Sequence, residues 1–245
     1  MRYLLKNGTV VSGDRSEKLD VLMEDEKIIK VEKGIEDENA YMLDVSGKLL
    51  FPGFIDAHTH FDLEVANTVT ADDFETGTKA ALCGGTTMVI DYASQDKGGH
   101  TLKEGLAKWH EKADGKCSCD YSFHMSIVEW NEETEKEIQD MLDEGITSFK
   151  LYMTYPAMLV DDCDLYKILK KLNAYGCFAG VHCENAGIID AMIEAAKAEG
   201  RLGVENHPLV RPDEVEAEAV HRLLVIAKQA GAPVMVVHLS NKKPH

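Results

Sequence analysis

At 245 residues and 44% hydrophobic content, the chain can bury a large core, as one big domain or as one domain plus a small one. Its 26 Lys and Arg stand against 43 Asp and Glu, a formal charge of −17 that repels phosphate backbones and argues against a nucleic-acid partner. No apolar run approaches the roughly 20 residues of a membrane span, and the opening MRYLLKNGTVV turns polar too soon for a signal peptide.

Residues 1–51 read as a small β-sandwich module without helices. Asn7-Gly8 in YLLKNGTVVSG predicts a hairpin, Glu24-Asp25-Glu26-Lys27 a second turn, and Ser46-Gly47 a third. From residue 52 to 245 the period changes, and short apolar strands alternate with helical segments. The strand candidates are FIDAHTH, TTMVIDYA, CDYSFHMSIV, TSFKLYMTY, FAGVHCEN and VMVVHLSN. Asn131 can cap a helix that ends before Gly145, and Asp161 or Asp162 can open one closed by Gly176. Pro212 suits the first turn of a helix ending at Gly231. Six such units predict an α/β fold, a TIM-like (β/α)8 barrel truncated after about six strands. The barrel alone needs about 250 residues, so a fragment, strands lent by another chain, or an open sheet are the readings left open. Cys83, Cys117, Cys119, Cys163, Cys177 and Cys183 form no CxxC pair, which predicts free thiols and a cytoplasmic protein.

Chemistry concentrates at strand ends. His58 and His60 lie two apart, so on a strand both imidazoles project to one side, at the end where barrel active sites are built. His182 and His238 each close an apolar strand and precede a polar turn. One such histidine is commonly a satisfied core residue; four at the same end of three strands predict a metal site. Lys150 alternates with Ser148 and Tyr152 on one side of its strand, where a bare ammonium is costly. Neutral lysine can add CO2 to become a carbamate that bridges two cations, and an ion pair with Asp91 or another carboxylate is the plainer alternative. His124 reads as a structural hydrogen-bonding residue, and His100, His110, His207, His221 and His245 as loop, helix-surface or terminal residues.

FPGFIDAHTHFD, CGGTTMVIDYA, DYSFHM, SFKLYMTY, VHCEN, RPDEVEAEAVHR and VVHLSN together resemble the hydantoinase/dihydropyrimidinase branch of the amidohydrolase superfamily, along the whole chain. The resemblance implies that His58 and His60 hold one Zn2+, that His182 and His238 hold another, and that carbamylated Lys150 bridges them; Mn2+ or another divalent metal could replace zinc. It implies that Tyr155 hydrogen-bonds the substrate carbonyl and that a hydroxide between the metals opens a cyclic amide to an N-carbamoyl amino acid. It also implies an aspartate after the eighth strand, and serine and asparagine backbone contacts, all beyond residue 245. Neither Asp56 nor Asp91 is assigned to that role.

Where dihydroorotase-like relatives place an arginine, Phe61-Asp62-Leu63 follows the histidine pair, so a neutral ring with an apolar substituent, a small cyclic amide such as a hydantoin or dihydropyrimidine, is expected. Substrate-gating loops are expected near Leu63–Thr70 and Tyr152–Leu159, with Val65, Tyr152 and Leu159 making an apolar pocket. The alternatives are an allantoinase-like hydrolase and an inactive truncated scaffold of the dihydropyrimidinase-related kind. The resemblance further implies a homo-oligomer, tetramer or dimer.

Overall fold

The computed structural model of the chain describes residues 1–65 and 68–241. It divides into two compact units, the first comprising Met1–Ile55 and Gly85–Thr87 and the second the rest.

The first unit holds β1 (Arg2–Lys6), β2 (Thr9–Ser12), β3 (Arg15–Lys18), β4 (Asp20–Glu24), β5 (Lys27–Glu32), β6 (Tyr41–Asp44) and β7 (Leu49–Leu50). They form two sheets, ordered β5-β4-β1-β6 and β3-β2-β7, with Leu4, Leu22 and Ile35 as a small core. The expected turn at Glu24–Lys27 joins β4 to β5, with Glu24 opposite Lys27. The hairpin expected at Asn7-Gly8 does not form: β1 and β2 lie in different sheets. Asn7 takes the left-handed conformation such turns favour, at φ 65°. Its backbone N–H, however, donates to Asp20 Oδ1 at 2.9 Å and its side-chain amide to Asp44 Oδ1 at 3.1 Å, so the chain switches sheets. A Cβ on Gly8 would lie 2.7 Å from Leu50 Cδ1, so a larger residue there would have to turn the Leu50 side chain aside.

Next come β8 (Phe54–Thr59), a short ribbon of β9 (Glu64–Val65) with β10 (Thr68–Val69), β11 (Thr86–Ser94), β12 (Asp120–Ser126), β13 (Ser148–Tyr152), β14 (Phe178–His182) and β15 (Val234–Val236). Six of these make one sheet in the order β15-β14-β13-β12-β11-β8, the sequential order of a βα barrel. The pairs from β11 through β15 are all parallel. Helices α1 (Phe74–Cys83), α2 (Leu102–Ala113), α3 (Glu132–Asp143), α4 (Asp162–Ala174), α5 (Ala186–Ala198) and α6 (Asp213–Ala230) connect the strands.

Phe149 and Leu151 of β13 enter the core with Leu102, Phe123, Met141, Ile168 and Leu223, all buried. Each fully buried side chain of this kind stabilises by about 1.5–3 kcal/mol. Asn131 caps α3 by accepting from Glu133 and Thr134 N–H, and Asp161 caps α4 by accepting from Asp164 N–H. Pro212 sits one step earlier than expected, at the N-cap of α6, because its backbone there is extended, at ψ 159°. All six cysteines are free thiols. No described helix is long and apolar enough to cross a membrane.

Candidate metal centre

Parallel pairing lines up the polar positions of the strands at one end of the sheet. Lys150 of β13 is opposite Ser126 on one side and Gly180 on the other, and Tyr152 is opposite His182. Tyr92 of β11 is opposite His124. His58 is the penultimate residue of β8, His60 follows that strand, and His238 stands two residues past β15 at φ 44°. The sheet curls enough to bring its first and last strands' histidines together: the rings of His58 and His238 have centroids 5.6 Å apart. His58 and His60 are 5.2 Å apart, and His182 and His238 are 4.7 Å apart.

Lys150 is 1% exposed, its Nζ 5.1 Å from the Tyr92 ring centroid and 4.9 Å from that of Tyr152. Among the described residues no carboxylate pairs with it. The alternative partner, Asp91, is fully committed elsewhere: its oxygens accept from Thr59 Oγ1, Phe61 N–H, Tyr92 N–H and the Trp109 indole at 2.8–3.0 Å. Burial pushes the Asp91 carboxyl above its ordinary value, against those four bonds. Burial also lowers the Lys150 amine to about 8, which leaves a reactive fraction of free base near neutral pH.

His58 and His60 are both pushed down to about 4, by burial first and then by Lys150. His238 moves the same way, through burial, His182 and Lys150. These imidazoles are therefore neutral at physiological pH, the form in which histidine donates a lone pair to a cation. His182 Nδ1 and His238 Nε2 lie 3.1 Å apart. Beside Lys150 in register, the buried Ser126 hydroxyl has no hydrogen-bond partner. Four neighbouring imidazoles, a buried lysine and an orphaned hydroxyl next to it fit a two-cation centre bridged by a modified lysine.

Tyr155 lies on the loop after β13 at φ 66°, 38% exposed, its ring 5.2 Å from that of His182. Burial raises its hydroxyl pKa while Arg211 opposes the shift, so Tyr155 is a proton-bearing donor. A pocket of about 290 Å3 opens here, lined by Tyr155, His182, Glu184, Arg211 and His238 among others. Val65, Tyr152 and Leu159 do not line it: Tyr152 is buried beside Lys150, and Leu159 bridges to the Tyr152 backbone. Of the expected gating loop Leu63–Thr70, residues 66 and 67 fall outside the described residues, as does His245. His124 is held by Ser148 Oγ at 2.5 Å and Ala57 O at 3.0 Å, a structural role.

Three residues at this end escaped the sequence reading: Tyr92, whose hydroxyl is 3.2 Å from His58 Nδ1, and the pair Glu184 and Arg211. Tyr92 was findable, since period-two alternation along TTMVIDYA places it on one side with Met88 and Ile90. Net burial would raise the Glu184 carboxyl, but its bonds to His182 and Arg211 outweigh that and hold it below its ordinary value.

The sequence model of the amidohydrolase family matches residues 49–241. A D-hydantoinase of Streptomyces coelicolor is 40% identical over 98% of this chain and 52% of its own length. A dihydropyrimidinase of Dictyostelium discoideum is 42% identical over 97% of this chain and 48% of its own. The crystal structure of dihydropyrimidinase from Brevibacillus agri superposes with a TM-score of 0.95 at 38% identity, over 98% of this chain and 52% of that one. The chain thus spans about half the length of the curated relatives it matches, and its six parallel strands are those of a TIM-like (β/α) barrel. Since the family match takes in the parallel sheet and every one of the gathered histidines and Lys150, the chain belongs to the amidohydrolase family.

Proposed function

We propose that the protein to which this chain contributes is a hydrolase that opens the cyclic amide of hydantoins or dihydropyrimidines to give N-carbamoyl amino acids. The observation that carries this reading is the convergence of four histidines on an amine that burial holds near pKa 8 and that no described carboxylate pairs with. The names of the relatives, D-hydantoinase and dihydropyrimidinase, support the substrate class.

In this reading His58 and His60 hold one Zn2+ and His182 and His238 the other, with Lys150 between them. Two bound cations would polarise the substrate carbonyl and acidify a water. The residues of the chain prepare for that. Neutral Lys150 adds its nitrogen lone pair to the carbon of CO2 and releases a proton, giving a carbamate; the Ser126 hydroxyl beside it in register is free to donate to the new oxygens. Tyr92 faces Nδ1 of His58 and leaves Nε2 of that ring for the cation. Tyr155 donates its O–H to the substrate carbonyl oxygen as negative charge develops there. Asp91 is closed to proton transfer by its four donors, so no described residue is assigned as the shuttle to the leaving nitrogen.

The same reading takes residues 1–51 as the β module and 52–245 as barrel, the cytoplasm as compartment and a homo-oligomer as assembly. Elemental analysis of the purified protein, with hydantoin, dihydrouracil and allantoin hydrolysis on the same sample, tests it. About two zincs per chain with opening of either of the first two rings is expected. Turnover of allantoin alone would move the substrate class, and a chain that retains no divalent metal in zinc-containing buffer would overturn the metal reading.

A further inference from the structure

Next to the His182–His238 pair runs a chain of contacts that the proposed chemistry does not use. His182 Nε2 is 2.7 Å from Glu184 Oε2, and the same oxygen accepts from Arg211 Nη1 at 2.5 Å. The Arg211 guanidinium then lies over the Tyr155 ring, 5.4 Å from its centroid. The side chains of His182, Glu184 and Arg211 are only 14–17% exposed. Their backbones are tied as well: Asn185 N–H, one residue past Glu184, donates to Val215 O in the first turn of the helix that Arg211 and Pro212 introduce.

A neutral imidazole carries one N–H and one lone pair, and a carboxylate paired to a guanidinium only accepts. In the neutral form of His182, Nε2 must therefore bear the hydrogen, and the lone pair falls on Nδ1, the atom that faces His238. Without Glu184 the two tautomers are close in energy and half the donor set would be misdirected part of the time. We infer that Glu184 and Arg211 are a positioning pair: Glu184 sets the tautomer of His182, and Arg211 both anchors Glu184 and fixes the plane of the Tyr155 ring. One guanidinium thereby links the orientation of a metal ligand to that of the group that meets the substrate. The metal-ligand part of this inference rests on the two-cation reading above; the tautomer does not.

Long-range 1H–15N correlation spectra of the metal-free protein read the tautomer directly. Wild type is expected to show His182 as the Nε2–H form, and Glu184→Gln, whose amide can donate or accept, to show a mixture. An Nδ1–H signal in wild type, or an unchanged Nε2–H signal in Glu184→Gln, overturns the inference whether or not metal binds. Chelator competition supplies the second readout. Glu184→Gln is expected to weaken one of two cations about 10–100-fold and leave the other unchanged. Arg211→Lys keeps a charge beside Glu184 but not the guanidinium over the Tyr155 ring, so it is expected to keep cation affinity near wild type while kcat for ring opening falls. Equal loss of both cations in Glu184→Gln would point to general structural damage and overturn the positioning role. Absence of metal from wild type would sink the two-cation reading and leave the tautomer result standing.

Discussion

The hydroxyl of Thr59, the residue between His58 and His60, donates to Oδ2 of Asp91 at 3.0 Å. The Phe61 amide donates to the same oxygen at 2.8 Å, so the carboxylate holds a side chain on one side of His60 and the backbone on the other. At 1% exposure Asp91 has no water to replace these bonds. Asp91→Asn would turn an amide N–H2 toward two donors on one side. The expected cost is about 1–3 kcal/mol for each donor left orphaned, seen as a lower urea midpoint. A metal titration of the same variant should lose first the cation proposed for the His58–His60 pair; wild-type stability and metal content would show that Asp91 does not hold the strand end.

Lys150 gives the fold a specific pH dependence in the absence of metal. Burial places its amine near pKa 8, below the 10.5 of an unfolded chain. Below about pH 8 both states carry the proton, and the folded state bears the cost of a buried ammonium. Between the two values only the unfolded chain binds the proton, so stability rises with pH. The metal-free, CO2-free protein is thus expected to gain up to roughly 3 kcal/mol from this residue between pH 7.5 and 10. Lys150→Met should be more stable than wild type at pH 7.5 and should lose that slope. Parallel slopes in the two proteins would mean the amine is not desolvated.

What could be read from the sequence depended on whether one strand's period was enough. His58, His60, His182 and His238 sit at or just past the ends of apolar runs and Lys150 alternates with apolar neighbours inside one, so alternation and strand order place them together without any coordinates. Glu184 and Arg211 lie in turns, and their meeting depends on a contact across 27 residues that no local pattern encodes. The Asn7-Gly8 turn shows the opposite failure. Its local conformation was legible, but the choice between hairpin and sheet switch was made by Asp20 and Asp44, far along the chain. Pro212 was displaced by a single residue, the ordinary limit of reading helix ends from sequence.

Gly105 lies inside α2, where alanine would ordinarily stabilise by up to about 1 kcal/mol. In this helix a Cβ at that position would stand 2.5 Å from the Ser94 carbonyl oxygen, at the end of β11. Backbone cannot move aside as a side chain can. Gly105→Ala is therefore expected to destabilise, by roughly 1–3 kcal/mol, with a fall in thermal midpoint. A rise in midpoint would show that helix and strand separate easily at this point.

Lys97 clasps the loop that carries Tyr155. Its Nζ donates to Pro156 O at 2.9 Å and to Leu159 O at 3.1 Å, from an exposed position after β11. Within the loop, the Met158 and Leu159 amides both donate to Tyr155 O at 2.8 Å, and Val160 N–H donates to Tyr152 O at 3.0 Å. The left-handed backbone of Tyr155 is unfavourable for an aromatic residue and persists because these bonds over-determine it. Lys97→Met removes two bonds to the loop and touches none of the histidines. Amide hydrogen exchange at Met158 and Leu159 is expected to quicken several-fold, in line with about 0.5–1.5 kcal/mol per lost bond. Metal content should stay as in wild type, because Lys97 touches none of the histidines. Unchanged exchange at both amides would mean that Lys97 does not hold the loop.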